Sequence, residues 1–318
     1  MSEKSTVKLG VSACLLGQSV RYDGQHKLDH YISDVLGKYA EWLPVCPEVE
    51  CGMSIPREAM HLTGTPESPH LLTIHTGIDH TAKMKAWCKK RVNELAKEDL
   101  CGFIFKSNSP NSGLLRVKVF NAKGIPEKNG VGFFARAFTE CFPLIPVEEE
   151  GRLHDSGIRD RFIDHVAVYS RWREYVKTEN TVRGLQNFHA RHKYMIMAHS
   201  PKDVAPLGRI AANATEAKLK EVQMEYLDLL VSALKLQATV RKNTNVLQHI
   251  AGYFKKELEG FEKNELQKSI EEYHQENFPL LATLVLLQHF AKKYNKHYLL
   301  EQYYLNPSPM ELYLKYHV

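Results

Sequence analysis

The chain has 318 residues, 43% apolar, 25% charged and 10% aromatic, with a net charge of +5. That composition excludes a disordered, collagenous or disulfide-stapled miniprotein. No stretch reaches the roughly 18 apolar residues of a membrane span, the densest being residues 278–287. Residues 1–9 carry charge but no apolar core or small-residue cleavage site, so they do not read as a signal peptide, and a cytoplasmic protein is expected. Charge and cysteines are unevenly spread. Residues 1–150 hold 18 Lys+Arg and 18 Asp+Glu, so the whole positive excess lies in residues 151–318. All six cysteines, Cys14, Cys46, Cys51, Cys88, Cys101 and Cys141, fall in the first half. In a reducing compartment such scattered thiols do not pair as disulfides, and the ordinary fate of most is burial as small hydrophobes.

Taken in chain order, residues 7–12, 42–45, 102–105, 116–120 and 144–147 are short apolar runs that predict strands. Between them, residues 28–39, 81–98 and 130–141 predict helices. This alternation gives an α/β domain with a mostly parallel sheet and Rossmann-like layers over residues 1–147. Residues 148–158, opening on Glu148-Glu149-Glu150-Gly151, read as a linker. From 159 to 318 an all-α domain of five or six helices is expected. Phe162, Val166, Tyr169 and Trp172 keep helical spacing, as do Leu219, Val222, Tyr226, Leu230 and Ala233. Leu280, Leu284, Leu287, Ala291, Tyr294 and Tyr298 continue one stripe, with Pro279 in its first turn and Asn306-Pro307 at its end.

In a parallel sheet, chemistry gathers in the loops beyond the carboxyl ends of the strands. Three loops qualify: 13–24 with Cys14, Arg21 and Asp23, 46–57 with Cys46, Glu48, Cys51 and Arg57, and 106–113 with Ser109 and Ser112. Converging thiolates can hold zinc or an iron–sulfur cluster, and spacing alone does not choose between them. Arg21, Asp23 and Arg57 are candidates to hold an anionic or polar substrate; an Asp–Arg pair fixing an Asp-Gly turn explains them equally well. Lys106, opening the third loop, reads either as a phosphate contact or as a solvated lysine.

The segments Ser12 to Gly24, Cys46 to Arg57 and Lys106 to Gly113, in this order and at these separations, resemble the thiouracil desulfidase (TudS-type) domain family over about residues 6–145. The remainder, with Arg159 to Trp172, Asn187 to Lys193 and Leu287 to Met310, resembles the helical YbgA-type domain of unknown function. The first resemblance implies a 4Fe-4S cluster held by three cysteines with one iron open to a thiocarbonyl sulfur, and water replacing that sulfur without net redox change. Cys14 and Cys46 match two of the ligands, Glu48 the carboxylate that activates water, and Ser109 the serine that positions substrate. Where the family usually carries the third cysteine, this chain has Ser112. Three outcomes stay open: Cys51, favoured because it shares a loop with Cys46, supplies the third thiolate; Ser112 ligates weakly; or the site holds no cluster.

In the helical half, His189 and His192 share a helix face, with His199 further on, but no carboxylate stands at a zinc-protease spacing. His289, Lys292, Lys293, Tyr294, Lys296, His297, Tyr298, Tyr303 and Tyr304 form a basic, aromatic stretch. It suits nucleic acid through stacking and phosphate contacts, or is an apolar stripe beside a solvated cationic face. The leading expectation is an iron–sulfur desulfidase acting on a thiolated pyrimidine as base, nucleoside or RNA residue, with the helical domain presenting substrate or binding a partner. The rival is a non-catalytic binding protein whose helical domain engages nucleic acid or protein beside a degenerate α/β scaffold.

Overall fold

The structure, a computed structural model, describes residues 6–316. These divide into two compact units, with the break between Phe162 and Ile163. The N-terminal unit contains β1 (Val7–Ser12), β2 (Ala40–Val45), α1 (Pro47–Glu50), β3 (Met60–Gly64), β4 (Pro69–Thr73), α2 (Thr81–Leu95), β5 (Gly102–Phe105), β6 (Val117–Phe120), β7 (Pro126–Gly130), α3 (Phe133–Cys141) and β8 (Val147–Glu149). One sheet, ordered β2-β1-β5-β8, is parallel throughout. The expected α/β class therefore holds, and the physical reason is visible in β1 and β5. Both are central and almost wholly buried, which is why β5 is a continuous apolar run and β1 carries a single charge, on the half-buried Lys8. Pro44 lies in β2, an edge strand, where a missing N–H costs no ladder bond. Gly10 pairs with Phe103, and a Cβ at Gly10 would sit 2.1 Å from the Phe103 ring, so only glycine lets that ring cross β1. Phe103, Phe105, Phe134 and Phe138 then pack into one aromatic core.

Several features differ from the sequence reading. The strand expected at 116–120 belongs to a second sheet, β4-β3-β6-β7, in which only the β3–β6 pair is parallel. The helix expected over 28–39 is replaced by a π turn at Tyr31–Val35 and a 3₁₀ turn at Leu36–Lys38. The cause is tertiary: the N–H groups of Lys27 and Asp29 donate to the carbonyls of Cys14 and Leu15, so the chain is pinned to the first loop. The acidic run is not a solvated linker. Glu148 and Glu149 lie in β8, and all three glutamates are buried among partners described below. Finally, the stripe expected to run unbroken from 280 to 298 is cut at residue 293.

The helical region comprises α4 (Ser156–Thr178), α5 (Val182–His199), α6 (Val204–Ala212), α7 (Leu219–Leu234), α8 (Val240–Ala251), α9 (Gly260–His274), α10 (Leu280–Lys293), α11 (His297–Leu300) and α12 (Pro309–Tyr316). Nine helices among the described residues exceed the expected five or six because short ones interrupt the long stripes. Pro279 stands just before α10, as its N-cap. After α10, Asn295 takes a left-handed φ of 50° and the Lys296 N–H returns to the Ala291 carbonyl, which stops the helix. Two apolar clusters fill this unit, one around Trp172 and Tyr226 and the other around Leu247, Phe254 and Leu287. No helix among the described residues is long and apolar enough to cross a membrane.

Candidate functional site

Because β2, β1 and β5 are parallel neighbours, the loops that follow them emerge along one edge of the sheet. After β1 the chain makes a 3₁₀ turn, Ala13–Leu16, that carries Cys14 and is closed by Gly17 at a φ of 83°. After β2, Cys46 is the N-cap of the four-residue α1, with Pro47 in the first position, where a missing N–H costs nothing. Its backbone N–H donates to Glu50, and Glu50 is in turn paired with Arg91 of α2 at 2.9 Å. After β5, the Lys106 N–H donates to the Ser12 hydroxyl, locking the third loop to the end of β1.

The three loops enclose a cavity of about 330 Å³. Cys14, Cys46 and Glu48 line it together with Ser109 and Ser112. Arg21, Arg57 and Lys106 complete much of its cationic wall. Two expected site residues are not among the lining. Asp23 is a turn residue: its carboxylate accepts the Gln25 N–H and lies 3.5 Å from Arg21. Cys51 points elsewhere, its thiol donating to the Glu48 carbonyl at 3.3 Å while its side chain packs against the core cluster that includes Cys88.

Glu48 is held on both of its carboxylate oxygens. One carboxylate oxygen accepts from the Asn111 amide at 2.8 Å. The other lies 3.5 Å from the Cys46 thiol, which donates to it, and 3.8 Å from Arg57. Arg57 also donates to the Val20 carbonyl at 3.0 Å, so one guanidinium ties the second loop to the first. The Ser109 hydroxyl accepts the N–H groups of Asn111 and Ser112, which leaves its own proton available to an acceptor in the cavity. Burial pushes the Cys14 thiol up to about 11 against the pull of Lys106 and Arg21. Burial together with the Glu48 carboxylate pushes Cys46 up to about 12. Both are therefore neutral thiols at pH 7 unless a cation replaces the proton.

Asn111, Glu149 and Glu150 received no functional role from the sequence, yet they hold the third loop. Asn111 is fully buried, and its carbonyl accepts two N–H groups at the start of α3. Gly132 is needed there, since a Cβ would stand 2.5 Å from the Asn111 carbonyl. Glu149 accepts the N–H groups of Leu114 and Leu115 at 2.8 and 3.1 Å. Glu150 accepts the Ser107 N–H at 2.7 Å and pairs with Lys106, while Glu148 pairs with Arg152 and Arg161. Lys106 is thus an anchored residue rather than a solvated one. Three acids following an apolar strand were the available sign, but a linker has the same composition.

In the helical unit the histidines are engaged internally. His189 bonds the Tyr226 hydroxyl, His192 the Phe188 carbonyl, and His199 both the Leu236 carbonyl and Asp164. The basic aromatic stretch is largely neutralised. Lys293 and the Tyr294 hydroxyl both bond Glu262, and Lys296 bonds Glu257. Cations spent on carboxylates are poor phosphate contacts, so of the two readings of this stretch the nucleic-acid one has no support here.

Residues 9–150 match the family model described as 2-thiouracil desulfurase. Residues 193–309 match a protein of unknown function, DUF1722. The uncharacterized protein YbgA of Escherichia coli (strain K12) is 30% identical over 143 residues, covering 44% of this chain and 85% of that protein. A solved structure, the [4Fe-4S]-dependent thiouracil desulfidase TudS, is 29% identical and superposes with a TM-score of 0.38, covering 47% of this chain and 95% of that one.

Proposed function

The chain belongs to the family of the E. coli protein YbgA and carries a 2-thiouracil desulfurase domain ahead of its helical region, and on that premise we propose that its N-terminal unit removes sulfur from a thiolated pyrimidine by hydrolysis. The reaction replaces a thiocarbonyl sulfur by the oxygen of water and releases hydrogen sulfide, with no electron gained or lost. The observation that carries this reading is the convergence of Cys14, Cys46, Glu48 and Ser109, from three separate loops, on one cavity.

Cys14 and Cys46 present two thiols to one space, and thiolates are the usual protein ligands of iron–sulfur clusters. Among the described residues no group of three or more His, Cys, Asp and Glu side chains is gathered, so these two are the ligands the chain itself offers. When bound, the cluster supplies a Lewis-acidic iron for the substrate sulfur. The remaining work falls to the chain. Glu48, oriented by Asn111 and Arg57, takes a proton from the attacking water and can return it to the departing sulfur. Ser109, its oxygen already occupied as an acceptor, donates to a ring carbonyl or nitrogen and sets the pyrimidine's orientation. Arg21 draws the polar edge of the substrate into the cavity.

The test is purification without oxygen followed by incubation with 2-thiouracil. A brown protein that yields uracil and sulfide in equal amounts is expected. Glu48→Gln should keep the iron and lose turnover by about 100-fold or more. A colourless, iron-free protein that releases no sulfide would overturn the reading and leave the α/β unit as a scaffold.

A further inference from the structure

We propose that the ring of Tyr22 stacks on the face of the substrate and makes the site select aromatic rings over saturated ones; the inference rests on the function proposed above. Tyr22 lines the cavity and is the only aromatic residue among the described ones to do so. The thiols of Cys14 and Cys46, the Glu48 carboxylate and the Ser109 hydroxyl can reach the edge of a pyrimidine or its exocyclic sulfur. None of them offers a surface to its flat π face. The Tyr22 ring does, because it is 43% exposed although it stands in the cavity wall. A planar ring laid on it takes apolar surface of both partners out of water and gains an offset-stacked contact.

The ring is also held ready. Residues 21–25 form a tight turn, in which the Arg21 N–H donates to the Gln25 carbonyl at 3.2 Å and the Gly24 N–H to the Arg21 carbonyl at 3.0 Å. Gly24 permits the turn with a φ of 72°. The Tyr22 carbonyl accepts the Arg57 N–H at 2.8 Å, which ties the turn to the second loop. The Arg21 guanidinium lies 5.5 Å from the centre of the Tyr22 ring, a cation–π contact that braces the ring from one side. An aromatic side chain fixed in this way gives up little conformational freedom when a ligand arrives. None of these contacts uses the Tyr22 hydroxyl, so phenylalanine should serve as well.

Stacking is in place before the carbon–sulfur bond is attacked, so its loss should raise KM and spare kcat. The experiment uses the full chain, reconstituted anaerobically with iron and sulfide. It reads iron per chain, KM and kcat for 2-thiouracil, and competitive inhibition by uracil and by dihydrouracil, which keeps both carbonyls and both N–H groups on a puckered, saturated ring. The parent should bind uracil about tenfold or more tightly than dihydrouracil. Tyr22→Leu should keep the iron and kcat, raise KM about tenfold or more, and bring uracil down to the level of dihydrouracil, while Tyr22→Phe should match the parent. Equal inhibition of the parent by the two compounds, or a parent-like KM in Tyr22→Leu, overturns the stacking while leaving the desulfidase reading intact. Should Tyr22→Leu fail to fold or to take up iron, the parent's preference for uracil over dihydrouracil and a parent-like KM in Tyr22→Phe decide the matter. A parent chain that releases no sulfide overturns both.

Discussion

Glu149 gives the sharpest test of how the third loop is held. Its carboxylate is buried and accepts two backbone N–H groups, from Leu114 and Leu115, through one oxygen. A hydrogen bond to a charged group contributes ~1.5–3 kcal/mol. Leu115 is exposed, so in Glu149→Ala its N–H recovers a water partner and most of its loss is offset. The Leu114 N–H, on a half-buried residue, recovers less. The net local destabilisation should be about 2 kcal/mol, which is roughly a 30-fold drop in protection against exchange. Glu149→Gln retains an acceptor oxygen and should lose about half of that free energy. The assay is hydrogen–deuterium exchange of the segment 107–116 in the full chain, where the loss should be local rather than spread over the sheet. Unchanged exchange in Glu149→Ala would refute the anchoring role and return the acidic run to a solvated linker, whose substitution costs less than about 0.5 kcal/mol.

Two further outcomes are expected. Asn111→Ala removes the 2.8 Å bond that aims Glu48, so turnover should fall about 10- to 100-fold with iron content retained; an undiminished rate would show that Glu48 needs no such aim. Asp164 is buried, which by itself would raise its carboxyl, but Lys315 and His199 hold it at about 2 against an ordinary 3.8. A depressed carboxyl contributes stability in full above its ordinary value and loses it as pH falls through the folded value. The helical unit should therefore lose ~2 kcal/mol between about pH 4 and pH 2, read by denaturant titration. Asp164→Asn should abolish that dependence, and equal acid sensitivity in the variant would contradict the assignment.

Much of the N-terminal unit is legible in the chain itself. Gly102–Phe105 is apolar throughout and Val7–Ser12 is interrupted only by Lys8 and Ser12, because a central parallel strand is buried on both faces. Parallel order then forces the turns after β1, β2 and β5 to one edge, which is enough to bring Cys14, Cys46, Glu48 and Ser109 to a common cavity. The helical character of the second half follows from its three- and four-residue apolar steps. The breaks within those steps do not, because a left-handed Asn295 looks like any other polar residue on a helix face.

Direction and pairing are what the tertiary structure alone decides. Cys51 and Cys46 share a loop, yet one thiol turns toward the core and the other into the cavity, since the two stand five residues apart at opposite ends of the short α1 and leave it in different directions. Glu148 to Glu150 have the composition of a linker and become anchors only because N–H groups and cations from residues 106–115, 152 and 161 reach them. Lys293 and Lys296 likewise read as a cationic face until Glu262 and Glu257 are found opposite them. Periodicity records which residues must leave water, and that depends on each segment alone. Which polar group meets which depends on segments far apart in the chain, and only folding brings those together.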